Sequence, residues 1–128
     1  MFAKTKAYSG FAVDDVGKAR EFYGETLGVE VEVLDEHNGL MTLHLAGGER
    51  PTLIYAKDDL EPANYTILNF SVDDIDEAVD GLVEKGVEFE RYDGFDQDDK
   101  GVARGPGPDI AWFKDPAGNI LSVMKEPG

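Results

Sequence analysis

Apolar and polar positions alternate in short runs along this chain, and two stretches of helical period interrupt them. Residues 6–13, KAYSGFAV, alternate and predict a strand. Asp14 or Asp15 then caps a helix that runs to about Leu27, with Ala19, Phe22, Tyr23 and Leu27 on one face. Gly28 supplies the left-handed residue that ends it. Strands are predicted at 29–35, 40–46 and 51–57, the last two joined by Gly47-Gly48.

The order then repeats. TILNFSV (66–72) is a strand, and Asp74 caps a helix with Glu77 at capping-box spacing. Ile75, Ala78, Val79, Leu82 and Val83 form its apolar face, and Gly86 closes it. A strand at 87–92, a loop over about 93–108, and strands at 109–114 and 119–125 complete the unit, the last two joined by Asp115-Pro116-Ala117-Gly118.

The repetition is visible in the residues. FAVDDVGKA starts at Phe11 and FSVDDIDEA at Phe70, and GVEVE from Gly28 matches GVEFE from Gly86 after a one-residue slip. Two βαβββ modules, about 1–59 and 60–128, therefore make one α+β domain over residues 1–128. Two repeats are too few for a solenoid, so the modules are expected to pair into a curved mixed sheet with a concave cleft.

Strand parity divides the faces. Phe11, Val13, Phe70, Val72, Ala111, Phe113, Leu121 and Val123 are assigned to the core. That turns Tyr8, Gly10, Ala12, Ile67, Asn69, Ile110, Trp112, Ile120, Ser122 and Met124 toward the cleft. Such a face suits a flat or hydrophobic organic ligand held by stacking and a few hydrogen bonds. The competing expectation is that Tyr8, Trp112 and Met124 pack against the other half or a partner chain and fill the cleft.

Composition narrows the function. Asp and Glu number 27 against 12 Lys and Arg, a net charge of −15, which opposes binding to nucleic acid or anionic lipid. The absence of cysteine removes disulfides, thiolate metal sites and thiol nucleophiles. No apolar run reaches the roughly 20 residues that cross a bilayer, and the N-terminus has no secretory h-region, so a cytoplasmic protein is expected. There is no nucleophile elbow and no phosphate-binding loop. The adjacent acid pairs at 14–15, 58–59, 73–74 and 98–99 read as caps and solvated loops.

The doubled order, VDDVGKAREFYGETLGV near the start and WFKDPAGNILSV near the end resemble the vicinal oxygen chelate superfamily of glyoxalases, extradiol dioxygenases, fosfomycin-resistance enzymes and bleomycin-binding proteins. The motif residues Asp15, Ala19, Phe22, Tyr23, Leu27 and Gly28, with the DPxGN turn, carry the resemblance over essentially the whole chain. Their physical work is capping, packing and turning, so they speak for the fold and not for chemistry. The resemblance implies a divalent metal held by His or Glu on the first and last strand of each half. The matching positions here are Tyr8, Ile67, Ser122 and either Leu53 or Ile54. None is His, Asp or Glu, so no metal ligand and no cofactor is expected.

Two histidines remain. His37 lies in a turn; His44 alternates with Leu43 and Leu45 and is a candidate cleft residue, without an acidic neighbour expected on a matching strand. The long loop adds Tyr92, Phe95, Gln97, Lys100 and Arg104, and Arg104 is placed either on a ligand carboxylate or on an Asp of its own chain.

The ligand-binding set is thus Tyr8, His44, Ile67, Asn69, Tyr92, Phe95, Arg104, Trp112, Ser122 and Met124, for a metal-free member that binds a small aromatic or apolar molecule. The alternatives are a metal-dependent lyase or dioxygenase with a site displaced to His44, a metal-independent enzyme using Tyr8, Asn69 or Arg104, and a structural or partner-binding module. Exposed sheet edges, and dimers common among the proteins it resembles, predict a homodimer.

Overall fold

The computed structural model describes residues 1–126. It is α+β and divides into two compact units, Met1–Pro62 and Ala63–Gly128.

The first unit contains β1 (Gly10–Val13), α1 (Val16–Glu21), β2 (Glu30–Asp35), β3 (Leu40–His44) and β4 (Thr52–Ala56). Its sheet order is β1-β4-β3-β2, with β1 parallel to β4 and the other pairs antiparallel. The first strand is shorter than the sequence pattern suggests, since residues 6–9 lie outside it. Asp15 caps α1, its Oδ1 accepting from the Lys18 N–H at 3.1 Å, worth about 1 kcal/mol.

The helix expected to reach Leu27 is α-helical only to Glu21 and widens into a π-type turn over Phe22–Thr26. Leu27 N–H bonds the Phe22 carbonyl at 2.9 Å, five residues back. Gly24 sits mid-turn, where a Cβ would lie 3.6 Å from the Val31 side chain, so the wider turn brings backbone close to β2. Tyr23 is fully buried, its ring against those of Phe22 at 5.3 Å and Phe11 at 5.9 Å. Phe11, Val13, Met41, Leu43 and Ile54 therefore form the helix-side core of this unit.

The second unit contains β5 (Thr66–Ser71), α2 (Ile75–Glu84), β6 (Asp109–Lys114) and β7 (Ile120–Lys125), ordered β5-β7-β6 with β5 parallel to β7. Asp74 caps α2 through the Glu77 N–H at 3.1 Å. Ile75 and Val79 are buried, but Val83, assigned to the apolar face, is 53% exposed. Five apolar positions span a wider arc than the sheet can cover, and Val83 falls at its margin.

The strand expected at 87–92 is reduced to one bridge between Phe89 and Phe113, with the Glu90 N–H on the Trp112 carbonyl at 2.7 Å. That segment lies on the free edge of β6, the place β2 holds beside β3, so both units follow one strand order. It leaves the ladder because the Gln97 side chain takes over its backbone groups. Gln97 accepts from the Tyr92 N–H at 2.8 Å and donates to the carbonyls of Glu90 and Gly101 at 2.9 and 2.7 Å. Two backbone groups of the segment, the Tyr92 N–H and the Glu90 carbonyl, are thus satisfied by a side chain, while the Glu90 N–H keeps its bond to β6.

Candidate functional site

Register sets the candidate site. In the second unit Asn69 faces Ser122 across β5 and β7, and Ser122 faces Trp112 across β7 and β6, so the three occupy one row. Leu68, Phe70, Ala111, Phe113, Leu121 and Val123 have the opposite parity and serve the core beside α2. Ser122 is fully buried and donates to the Asn69 amide oxygen at 2.5 Å. Met124 stands on the same face, half-buried, opposite Ser71 and Ile110. Ile67 falls at the register shift between Thr66 and Leu68, and no residue of β7 pairs with it.

The long loop closes onto this row. The Tyr92 ring meets Trp112 edge-on at 5.4 Å, and the Phe95 ring tilts against it at 4.8 Å. Trp112 is 8% exposed, whereas Phe95 stays 54% exposed. The Tyr92 hydroxyl oxygen is buried and meets no donor or acceptor among the described residues. Burial, with the nearby Glu90 carboxylate as the lesser cause, pushes its phenol above the ordinary value, so it stays protonated at neutral pH.

The loop is folded, not a free excursion. Asp98 Oδ1 accepts the Lys100 and Val102 N–H groups, each at 2.9 Å, and Oδ2 accepts Arg104 Nε at 3.1 Å. Burial works against the Asp98 carboxylate, but these donors outweigh it and hold the group below the usual range. Arg91 donates to the Asp98 and Asp99 carbonyls. Lys100 reaches Asp80 at 3.1 Å and Asp76 at 3.6 Å. Arg104 is engaged by Asp76 at 2.8 Å, Asp98 at 3.1 Å and Asp109 at 3.5 Å. Of the two placements offered by its sequence, the guanidinium takes the one on acids of its own chain.

The other candidates lie in the first unit. Tyr8 is 52% exposed, with the Arg50 guanidinium 4.6 Å over its ring. His44 is half-buried, its Nε2 3.5 Å from Glu32 and 3.3 Å from the Thr42 hydroxyl. This corrects the expectation that no acid neighbours it. In the antiparallel register Glu30 faces His44 and Glu32 faces Thr42, so the outward acids of β2 share its face. Strict alternation in GVEVEV was the available signal. A shallow acidic cavity of about 510 Å³ also belongs to this unit, lined by Asp14, Asp15, Glu36, His37 and Asp58 among others. It has little apolar wall, and Asp15 is already spent on the helix cap.

Register also decides between Leu53 and Ile54. Phe11 pairs with Ile54 as Phe70 pairs with Val123, so Leu53 is the counterpart of Ser122. The positions to which the resemblance assigns a divalent ion are then Tyr8, Leu53, Ile67 and Ser122. Leucine and isoleucine offer no donor atom, and the Ser122 hydroxyl is engaged by Asn69, so this set does not fit such an ion. Among the described residues no group of three or more His, Asp and Glu is placed to hold a metal.

Residues 7–123 match the family model of the glyoxalase/bleomycin resistance protein/dioxygenase superfamily. The chain belongs to this superfamily. One relative within reach of sequence comparison is the uncharacterized protein YraH of Bacillus subtilis (strain 168), 27% identical over 124 residues that cover 88% of this chain and 91% of that protein. A superfamily member of known structure from Sphaerobacter thermophilus DSM 20745 is 28% identical, with TM-score 0.69 over 94% of this chain and 97% of that one. TnmS3, an antibiotic binding protein from Streptomyces sp. CB03234, is 22% identical, with TM-score 0.70 over 97% and 98%. The superfamily's glyoxalase-like fold thus covers essentially the whole chain. Among the described residues no helix is long and apolar enough to cross a membrane.

Proposed function

We propose that this superfamily member binds a small aromatic or apolar molecule without a divalent ion, on the sheet face built around Asn69, Ser122 and Trp112. One observation carries the reading: the row centred on Ser122, where the resemblance assigns a metal donor, presents an amide, a hydroxyl and an indole, and the loop adds the rings of Tyr92 and Phe95. Aromatic faces supply apolar area and stacking, and the Asn69–Ser122 pair supplies a few polar contacts that orient a ligand. That a protein of the same fold is an antibiotic binding protein supports sequestration as the mode. The proposal treats residues 1–128 as one domain of two repeats, working as a homodimer.

Elemental analysis of the native purified protein, joined to a ligand screen read by the fluorescence of Trp112, the single tryptophan, tests it. Less than a tenth of an equivalent of Ni, Zn, Fe or Mn, with quenching by planar aromatic compounds, is the expected result. One tightly bound equivalent of any of these metals refutes it.

A second reading has its own observation, the His44–Glu32 pair 3.5 Å apart on the β2–β3 face. It makes the protein an enzyme with a displaced site, in which His44→Ala abolishes metal binding and turnover together. A variant unchanged in both rules that out.

A further inference from the structure

Ring packing explains two of the three aromatic residues at the candidate site but leaves one atom unaccounted for. The Tyr92 hydroxyl is buried against the Trp112 cluster and has neither donor nor acceptor among the described residues. Leaving a buried hydroxyl without a partner destabilises the native state, and a phenylalanine would fill the same ring volume without that cost. The position of Tyr92 is not accidental slack in a loose loop. Its backbone N–H is clamped by Gln97 Oε1 at 2.8 Å, and Gln97 is itself tied to Glu90 and Gly101. The ring is held edge-on to an indole that is nearly closed to solvent. A polar atom held in place and closed to solvent gains a partner only when a ligand displaces a ring packed at the site, and of those rings Phe95, 54% exposed, is the least buried.

The hydroxyl's chemistry sets what that ligand carries. With Glu90 nearby and apolar rings around it, the phenolate form is disfavoured, so the group meets a ligand as an O–H donor. We propose that Tyr92 is the specificity-determining donor of this site, and that the site takes planar apolar molecules bearing a hydrogen-bond acceptor, such as a ring-conjugated carbonyl, in preference to hydrocarbons of the same shape. This rests on the aromatic-binding function proposed above and adds to it the acceptor and the residue that reads it. The cost in stability is the counterpart: a site that waits for its partner is less stable than one that needs none.

The test uses the full-length protein, its Tyr92→Phe variant, and two probes of matched shape, acetylnaphthalene and ethylnaphthalene substituted at the same ring position. Affinity is read by calorimetry and thermal stability by scanning. The wild-type protein is expected to bind the ketone about 5- to 10-fold more tightly than the hydrocarbon, the scale of one neutral hydrogen bond. Tyr92→Phe is expected to abolish that preference, leave ethylnaphthalene binding within about 2-fold, and raise Tm by roughly 2–5 °C. Equal binding of both probes by the wild type overturns the inference and leaves the aromatic-binding function standing. A ketone preference that survives in Tyr92→Phe also overturns it and moves the donor elsewhere in the site. Failure of both probes to bind overturns the function and the inference together.

Discussion

Asp98 is the knot of the loop that carries Tyr92 and Phe95 onto Trp112, and Asp98→Ala unties it. One carboxylate oxygen accepts two backbone N–H groups at 2.9 Å, those of Lys100 and Val102, and the other accepts Arg104 Nε at 3.1 Å. Val102 is fully buried, so its N–H has no ready replacement partner when the carboxylate is removed. Hydrogen bonds to a charged acceptor contribute about 1.5–3 kcal/mol each; the side chain is about a third exposed, which favours the lower end. Two such bonds give about 3 kcal/mol, and the exposed Arg104 pair adds less than about 1 kcal/mol. The loss falls first on the loop, so the expected change is twofold: an unfolding free energy lowered by about 3–4 kcal/mol, and a Trp112 opened to solvent. Urea unfolding measures the first and acrylamide quenching of the single tryptophan the second. Asp98→Asn keeps one oxygen for the backbone donors but removes the charge and the Arg104 pair, and is expected to lose about 1–2 kcal/mol with little gain in quenching. An Asp98→Ala protein with wild-type quenching and a loss below about 0.5 kcal/mol refutes the reasoning, because the loop would then be held by its other contacts.

The same carboxylate sets an acid limit. Its folded value lies below the unfolded one of about 3.9, so the contribution of the charge is present above that pH and is lost as pH falls through the lower folded value; the stability gap between the wild type and Asp98→Ala is expected to narrow as an acid titration passes below about pH 4. Asp115→Ala removes an acceptor for the Ala117 and Asn119 N–H groups and for the buried Asn119 amide, and calorimetry is expected to show a loss of about 3–5 kcal/mol. At Gly39, where φ is +69° and a Cβ would lie 2.6 Å from that of Ala56, alanine is expected to cost more than about 2 kcal/mol by urea unfolding. On α2, Val79→Ala is expected to cost about 2 kcal/mol and Val83→Ala less than about 0.5 kcal/mol in the same assay; equal losses would show that the helix buries a different face.

Much of this was legible in the residues. The repeat at Phe11 and Phe70 gave away one strand order used twice, and the two units share it down to a parallel first and last strand. Caps at Asp15 and Asp74, and left-handed glycines at 28 and 86, mark local backbone requirements that no distant contact has to supply. Parity put Asn69, Trp112 and Ser122 on one face because a regular strand alternates without regard to its surroundings. Where the chain leaves regular geometry, that logic fails. The π turn at Phe22 carries no mark in the apolar spacing, and the strand expected at 87–92 yields two of its backbone groups to the Gln97 side chain.

Legible in the residues alone are the doubled strand–helix pattern, the aromatic, amide and hydroxyl character of one sheet face, and the lack of His, Asp or Glu at Tyr8, Ile67, Ser122 and both candidates for the fourth position, Leu53 and Ile54. These follow from periodicity and residue type, which are local. Tertiary structure decided what the loop does with its charges and rings. It turned Arg104 onto three carboxylates, paired His44 with Glu32, and brought Tyr92 and Phe95 onto Trp112. It also buried the Tyr92 hydroxyl with no partner among the described residues, a fact with no local signature, because satisfaction of a polar atom depends on every residue that comes within hydrogen-bonding reach of it.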